Sequence, residues 1–196
     1  MNKKWFSIQG KATDAVAEVY IFDEIGAYGI TAQDFISEMK EYKDTPVNLR
    51  INCIGGDEFD GMAMYNIIKK REAKTTAYIE GIAASMGSVI ALAADEVIMA
   101  ENSLFMIHNA WGGAMGEAED MRKTASILEK ISGEIANIYE RKTRLSLNRI
   151  IEMMDKETWL NAAEAYELGF IDLISDSIKV AAKYDVSKFK NITTEQ

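Results

Sequence analysis

The chain has 196 residues, of which 48% are hydrophobic, and it carries a formal net charge of −9. This length suits one domain with a sizeable core, and the acidic balance argues against nucleic acid and membrane surfaces as partners. A single cysteine, Cys53, excludes an intrachain disulfide and a cysteine-rich metal site, and no apolar run approaches the ~20 residues of a membrane span. We therefore expect a soluble, cytoplasmic protein that uses no metal or cofactor.

Strand and helix patterns alternate through the first half of the chain. Runs rich in β-branched and aromatic residues predict strands at 17–22, 48–53 and 75–80. Helical patterns follow them, the first capped by Thr31 and ending near 41, the others at about 59–70 and 89–94; this alternation predicts an α/β fold with a largely parallel sheet.

The second half begins with two short predicted strands, 96–100 and 103–108, and a glycine-rich turn. Later helices start at Ser146 and at the Asn161 capping box, and a last strand follows at 170–174. We expect residues 1–174 to form one domain and the aperiodic segment 175–196 to be a loosely attached tail.

The longest predicted helix covers about 117–142, and its length bears on assembly. About 26 residues at ~1.5 Å each make a rod of about 40 Å, which is long for a domain of this size. We expect part of the helix to leave the domain and pack on another subunit; a helix that lies across the whole domain is the alternative. Its apolar face is predicted at Met121, Ala125, Leu128, Ile131, Ile135 and Ile138.

A stretch at 81–88 that is rich in small residues, here called the serine turn, joins the predicted strand at 75–80 to the next helix. A serine in such a turn exposes its hydroxyl, and the first N–H groups of a helix have no partner within it. Ser85 is therefore a candidate nucleophile with half of an oxyanion hole beside it. The G-x-S-x-G elbow is incomplete, because Ala83 replaces its first glycine, and a tight crossing with a helix cap remains the alternative.

A serine nucleophile needs a base, which is usually histidine, and His108 is the one histidine of the chain. It ends a predicted strand next to the glycine-rich turn, where site residues are common. A histidine chosen for packing at a strand end is the alternative interpretation.

An acid that orients the imidazole is expected within 155–159, where Glu157 and Asp155 are the candidates. A solvated charged loop is the alternative for this segment. Gly55 and Gly56 follow the strand at 48–53 and are either a second source of oxyanion donors or a plain turn.

Four segments occur in an order that identifies a family. They are INCIGG at 51–56, GIAASMGS at 81–88, FMIHN at 105–109 and WLNAAEAYELGFID at 159–172. Over about 17–174 the chain resembles the proteolytic subunit of the Clp protease (ClpP), for which AASMGS together with MIH is highly specific. Residues 20–26 and the helix start at Thr31 look more like the phage-type, prohead-protease branch than the housekeeping peptidase.

The resemblance implies a crotonase-like α/β fold of repeated ββα units, with the helix at about 117–142 as a protruding handle. It also implies a serine endopeptidase whose site members are Ser85 as nucleophile, His108 as base, Glu157 as acid with Asp155 as second choice, and the backbone N–H groups of Gly56 and Met86 as oxyanion donors.

The same resemblance implies a homo-oligomer in which the handle joins stacked, usually heptameric rings around a chamber for polypeptide substrates. A phage-type member acts on capsid or scaffold proteins, whereas a housekeeping member is fed by an ATP-driven unfoldase. The N-terminal part lacks a match to the segment that engages the ATPase, which leaves an ATPase partner open.

The chain departs from the family's pattern at two places. Cys53 and Ile54 replace serine and proline in the usual N-S-P-G-G strand end, which predicts a less rigid oxyanion loop. Glu157 replaces an aspartate and is longer by one methylene. A non-catalytic ring-forming homologue is therefore one alternative, and a crotonase-type acyl-CoA enzyme is another, against which the serine turn and His108 argue.

Overall fold

The computed structural model describes residues 8–9 and 16–176, which build one mixed β-sheet accompanied by helices. The α/β fold expected from the sequence is confirmed. The strands are β1 (Ile8–Gln9), β2 (Ala17–Ile21), β3 (Val47–Cys53), β4 (Thr75–Ala84), β5 (Glu96–Ala100), β6 (Leu104–Ile107), β7 (Thr158–Asn161) and β8 (Leu173–Ser175). The helices are α1 (Ala32–Met39), α2 (Glu58–Lys69), α3 (Met86–Ala91), α4 (Ala118–Thr143), α5 (Leu147–Asp155) and α6 (Ala162–Glu167).

The sheet branches at its longest strand, β4. Its main order is β1-β2-β3-β4-β5-β8, in which β1 and β2 are antiparallel and the other neighbours parallel. β4 pairs with β5 along 76–79, but along 82–84 it pairs in parallel with β6 instead. β6 in turn is antiparallel to β7. The branch therefore carries the end of β4 away from β5 and against β6.

Side-chain caps start three of the helices at the residues predicted for them. The hydroxyls of Thr31 and Ser146 accept hydrogen bonds from the N–H groups three residues further on. Asn161 and Glu164 form a reciprocal capping box. These caps satisfy N–H groups that have no partner inside the helix, so each helix start is decided locally.

The structure differs from the predicted elements on both sides of Ser85. β4 does not end at 80 but continues to Ala84, because residues 82–84 pair with β6. α3 starts at Met86, directly after the serine, rather than at 89. Strand and helix thus meet at a single residue.

The C-terminal part contains a strand that was not predicted, β7, and a last strand that starts later than expected. β8 begins only at Leu173. Phe170, which was expected in this strand, is buried before it, with its ring 5.2 Å from the Phe105 ring, centroid to centroid. Residues 177–196 of the predicted tail lie outside the described residues.

Helix α4 matches its predicted bounds to within one residue, but only one end of it is buried. Ile135, Ala136, Ile138 and Tyr139 are buried, whereas none of residues 118–134 is. The N-terminal part of α4 therefore presents side chains that a single chain leaves uncovered. No helix in the described ranges has both the length and the apolarity needed to cross a bilayer.

Candidate active site

The ends of β4 and β6 lie side by side, and this register brings Ser85 and His108 together. Ala84, the last residue of β4, pairs with Met106 in the parallel strand β6. Both strands end within one residue of this pair, so the residues that follow lie at the same edge of the sheet. His108 Nε2 is 2.8 Å from Ser85 Oγ, which is hydrogen-bonding distance. The predicted serine and histidine are in direct contact.

The antiparallel strand β7 places Glu157 on the other side of the imidazole. Thr158 at the start of β7 pairs with Ile107 at the end of β6. The residue before Thr158 therefore lies opposite the residue after Ile107. Glu157 Oε2 is 3.9 Å from His108 Nδ1, a separation at which the carboxylate stabilises a protonated imidazole.

Of the two acids left open by the sequence, the structure places Glu157 beside His108 and Asp155 elsewhere. The Glu157 side chain is 8% exposed, and Trp159 Nε1 donates a hydrogen bond of 3.3 Å to its Oε1. Asp155 is exposed, and its Oδ1 accepts a hydrogen bond of 2.8 Å from Asn109 Nδ2. The two carboxylates thus differ both in burial and in hydrogen-bond partner.

Ser85 has a backbone conformation that residues with a side chain rarely adopt. Its φ is 53° and its ψ is −126°. Such a conformation costs about 1–3 kcal/mol and persists only where the surroundings enforce it. The Ser85 N–H donates to the Met106 carbonyl at 3.1 Å, and its carbonyl accepts from the N–H groups of Ser88 and Val89 at 3.0 and 3.2 Å. Strand on one side and helix on the other hold the hydroxyl against His108.

The turn at Gly55 and Gly56 packs directly against Ser85 and Met86. Both glycines have φ values that favour glycine, 96° and 137°. A Cβ at Gly55 would lie 2.6 Å from Ser85 Cβ and 2.9 Å from Met86 N, and one at Gly56 would collide with the Ile25 carbonyl. Within residues 16–176 the Gly56 and Met86 N–H groups donate to no other protein group. Two donors suited to an oxyanion therefore lie beside the serine.

This turn is restrained although it lacks the proline of the family's pattern. Gly55 donates its N–H to Cys53 Sγ at 3.4 Å, and its carbonyl accepts from the Ile25 N–H at 2.8 Å. Ile25 in turn accepts from the Asp57 N–H at 2.9 Å. Burial raises the pKa of the Cys53 thiol to about 12, so the thiol stays protonated and is no nucleophile at neutral pH.

A cavity of about 340 Å³ opens beside Ser85, between the loop after β2, the turn after β3 and Trp111. Glu24, Asp57 and Glu58 are among its lining residues, and burial raises the pKa of Glu58. A cavity of this size admits a substrate side chain next to the nucleophile. Within the described residues, no three histidine, cysteine or carboxylate side chains are grouped to hold a metal ion.

Sequence reasoning missed several residues that support the site. Asn109 directly follows His108, and Trp159 lies two residues after Glu157. Both belong to the motif segments, and that position is the signal that could have identified them. Ser88 also lies in a motif segment, but its hydroxyl contacts Tyr139, which is 51 positions away. No local pattern indicates that contact.

The geometry agrees with a comparison against families of known proteins. A family model described as Clp protease matches residues 15–177, which is most of the chain. The chain therefore belongs to the Clp protease family. The crotonase-like α/β fold with a long helix that its motifs implied is confirmed.

Several curated relatives carry the name ATP-dependent Clp protease proteolytic subunit. The one from Deinococcus radiodurans is 29% identical over 135 residues, which is 68% of this chain and 66% of the relative. Subunit 1 of Salinibacter ruber is 30% identical over 147 residues (74% and 63%), and the Chlorella vulgaris protein is 29% identical over 141 residues (71% and 70%). The chain spans slightly less than two thirds of the first two relatives.

Proposed function

We propose that this protein is a serine endopeptidase that hydrolyses peptide bonds through Ser85, His108 and Glu157. The observation that carries the proposal is the 2.8 Å contact between His108 Nε2 and the hydroxyl of a serine held in a strained strand-to-helix turn. Membership of the Clp protease family supports it. Burial of the imidazole and the carboxylate, with side chains 11% and 8% exposed, strengthens their interaction by limiting the access of water.

The first chemical step is acylation of the serine. His108 Nε2 takes the hydroxyl proton as Ser85 Oγ attacks the peptide carbonyl, and Glu157 stabilises the imidazolium that results. The N–H groups of Gly56 and Met86 donate to the oxyanion of the tetrahedral intermediate. Collapse breaks the C–N bond, and the imidazolium returns its proton to the leaving amine.

The second step releases the new carboxyl terminus. His108 removes a proton from a water molecule, which attacks the acyl-enzyme ester through a second tetrahedral intermediate at the same N–H groups. The proton then passes to Ser85 Oγ as the ester bond breaks, and the enzyme is restored.

The protein acts as a homo-oligomeric ring, heptameric or stacked, in which the uncovered part of α4 forms a contact between subunits. Support comes from the side chains of α4 that a single chain leaves exposed, including Met121 at 42% and Ile127 at 51%. Apolar side chains repeated along one helix are typical of a surface that another chain covers.

For the biological role, the proposal is a phage-type protease that trims capsid or scaffold proteins in the host cytoplasm. Support comes from residues 20–26 and the helix start at Thr31. A peptidase subunit fed by an ATPase is the second candidate, which the name of the relatives favours. If the chain degrades a folded protein only with ATP and a co-purified ATPase, the second candidate is correct. If it cleaves a capsid protein without ATP, the first candidate is correct.

The decisive test is labelling with a fluorophosphonate, followed by intact-mass spectrometry of the ring-sized fraction from size-exclusion chromatography. We expect one adduct per chain, absent from Ser85→Ala and at least about 100-fold slower in His108→Ala, because the unassisted hydroxyl is a weak nucleophile. A parent ring that acquires no adduct contradicts the proposal.

A further inference from the structure

Two buried hydroxyl groups lie directly behind the serine turn. Ser88 Oγ donates a hydrogen bond of 2.6 Å to the Ser85 carbonyl, and it lies 2.8 Å from the Tyr139 hydroxyl. Ser88 and Tyr139 are 0% and 1% exposed. A serine hydroxyl has a single proton, so Ser88 donates to Ser85 and must accept from Tyr139. The order of donation is therefore from Tyr139 to Ser88 to the Ser85 carbonyl.

Tyr139 is held rigidly as the first donor of this chain of hydrogen bonds. It lies in the buried end of α4, and its ring packs edge-to-face on Phe170 with centroids 5.8 Å apart. Burial raises the pKa of its hydroxyl well above the ordinary value, so the hydroxyl keeps its proton at any working pH. Hydrogen bonds in such a chain polarise and strengthen one another.

The Ser85 carbonyl and the Met86 N–H belong to one planar trans peptide unit and point in opposite directions. Three donors hold the carbonyl on its inner side: the Ser88 hydroxyl and the N–H groups of Ser88 and Val89. Whatever fixes the direction of the carbonyl also fixes the direction of the Met86 N–H, which is left to face the site.

We propose that Ser88 and Tyr139 are positioning residues that hold the Ser85–Met86 peptide plane, and thereby aim the Met86 N–H at the oxyanion of the reaction. The inference rests on the proposed function. It assigns a role in the site to α4, because Tyr139 connects that helix to the serine turn without touching substrate.

The test uses three variants of the assembled protein. Tyr139→Phe removes one hydroxyl and keeps the ring, and Ser88→Ala removes the link between Tyr139 and Ser85. Ser103→Ala is the matched control: Ser103 is 2% exposed and donates to the carbonyl three residues before it, Ala100, at 2.7 Å. Its hydroxyl donates to a carbonyl three residues earlier, as that of Ser88 does, but the accepting carbonyl, that of Ala100, lies outside the serine turn.

We expect kcat for a peptide substrate to fall about 10-fold in Ser88→Ala and about 3-fold in Tyr139→Phe, less than the 10²–10³-fold typical when an oxyanion donor is lost outright. KM should stay within about 2-fold, since the affected N–H acts in the transition state. A peptide boronate, whose tetrahedral adduct occupies the oxyanion site, should lose affinity by the same factor as kcat. The pH profile should not move, because the side-chain hydrogen bonds of Ser88 and Tyr139 lead to the Ser85 carbonyl and not to the imidazole.

A double variant tests whether Tyr139 acts on the serine turn through Ser88. Tyr139 reaches Ser85 only through Ser88, so Ser88→Ala with Tyr139→Phe should show the kcat of Ser88→Ala alone. Parent-like kcat in both single variants, a rise in KM alone, or an equal loss in Ser103→Ala overturns the inference while the proposed function stands. A parent ring that forms no fluorophosphonate adduct overturns both. If Ser88→Ala fails to fold, the comparison of kcat between Tyr139→Phe and Ser103→Ala decides whether the inference holds.

Discussion

The serine turn and the N-terminal part of α4 differ in how completely a single chain buries and hydrogen-bonds their residues. Every residue of α3 is buried, and Ser85 is hydrogen-bonded through both its N–H and its carbonyl. Along α4, by contrast, none of residues 118–134 is buried. The interior of a single chain therefore holds the residues of the proposed active site in place, whereas the exposed part of α4 is the surface for which we propose a contact with another subunit.

This difference predicts that substitutions in the two regions act on different observables. A change in the serine turn should alter turnover and leave assembly intact, because its contacts lie within the chain. A change on the exposed part of α4 should alter assembly and leave the unfolding of the subunit nearly unchanged. The predictions below test that separation.

The largest effect is expected for Ser85→Ala. Removal of the nucleophile should lower kcat for peptide hydrolysis by a factor on the order of 10⁶, a loss typical of serine proteases. Size-exclusion profile and melting temperature should match the parent, because Ser85 is held by backbone hydrogen bonds that alanine retains. Peptide cleavage by the purified variant at the parent's rate would show that another residue is the nucleophile.

Gly55→Ala should have the second largest effect, because its Cβ would lie 2.6 Å from Ser85 Cβ at a φ of 96°. We expect kcat to fall about 10²–10³-fold as the oxyanion donors shift, and the free energy of unfolding to fall by about 1–3 kcal/mol. Peptide hydrolysis and urea denaturation measure the two effects.

Gly133→Ala in α4 is the control for that prediction. Within a single chain an added Cβ meets nothing within 4 Å there, so the variant should keep its kcat and its subunit should gain up to about 1 kcal/mol from helix propensity. Equal kcat in Gly55→Ala and Gly133→Ala would mean that the turn after β3 does not bear on the site.

Two identical substitutions in α4 compare its buried and exposed parts. Ile135 is 4% exposed and Ile127 is 51% exposed. Ile135→Ala should lower the free energy of unfolding by about 2–4 kcal/mol, whereas Ile127→Ala should change it by less than about 0.5 kcal/mol. Ile127→Ala should instead weaken the oligomer, as light scattering over a dilution series would show. If the Ile127→Ala ring is as stable to dilution as the parent ring, the surface of α4 around Ile127 is not part of the subunit contact.

The smallest effect concerns Cys53, which lies under the serine turn. Its thiol has an ordinary pKa of 9.0, which folding raises to about 12 by burial. Between pH 9 and 12 the folded chain retains a proton that the unfolded chain loses, so the free energy of unfolding falls as pH rises, by up to about 1.4 kcal/mol per pH unit. Urea denaturation at pH 8 and 10 should show a smaller decline in Cys53→Ala than in the parent. Equal declines would indicate that the thiol is not the titrating group.

Local signals were sufficient for much of the molecule. The helix starts at Thr31, Ser146 and Asn161 were predicted because a cap acts on an N–H group only three residues away. The strands β2 and β3 were predicted from their composition, and Ser85 and His108 were identified as candidates from short motifs. All of these inferences use neighbours in the chain, which a sequence displays directly.

The remaining features depend on sheet register and on contacts between distant segments. Residues 82–84 belong to a stretch that was interpreted as a turn from its sequence, and they are extended because β6 pairs with them. The position of Glu157 beside His108 follows from the β6–β7 register. Ser88 meets Tyr139 only because α4 packs behind the serine turn. Such contacts form only when the sheet and the core assemble, because they join residues that lie far apart in the chain and share no local sequence pattern.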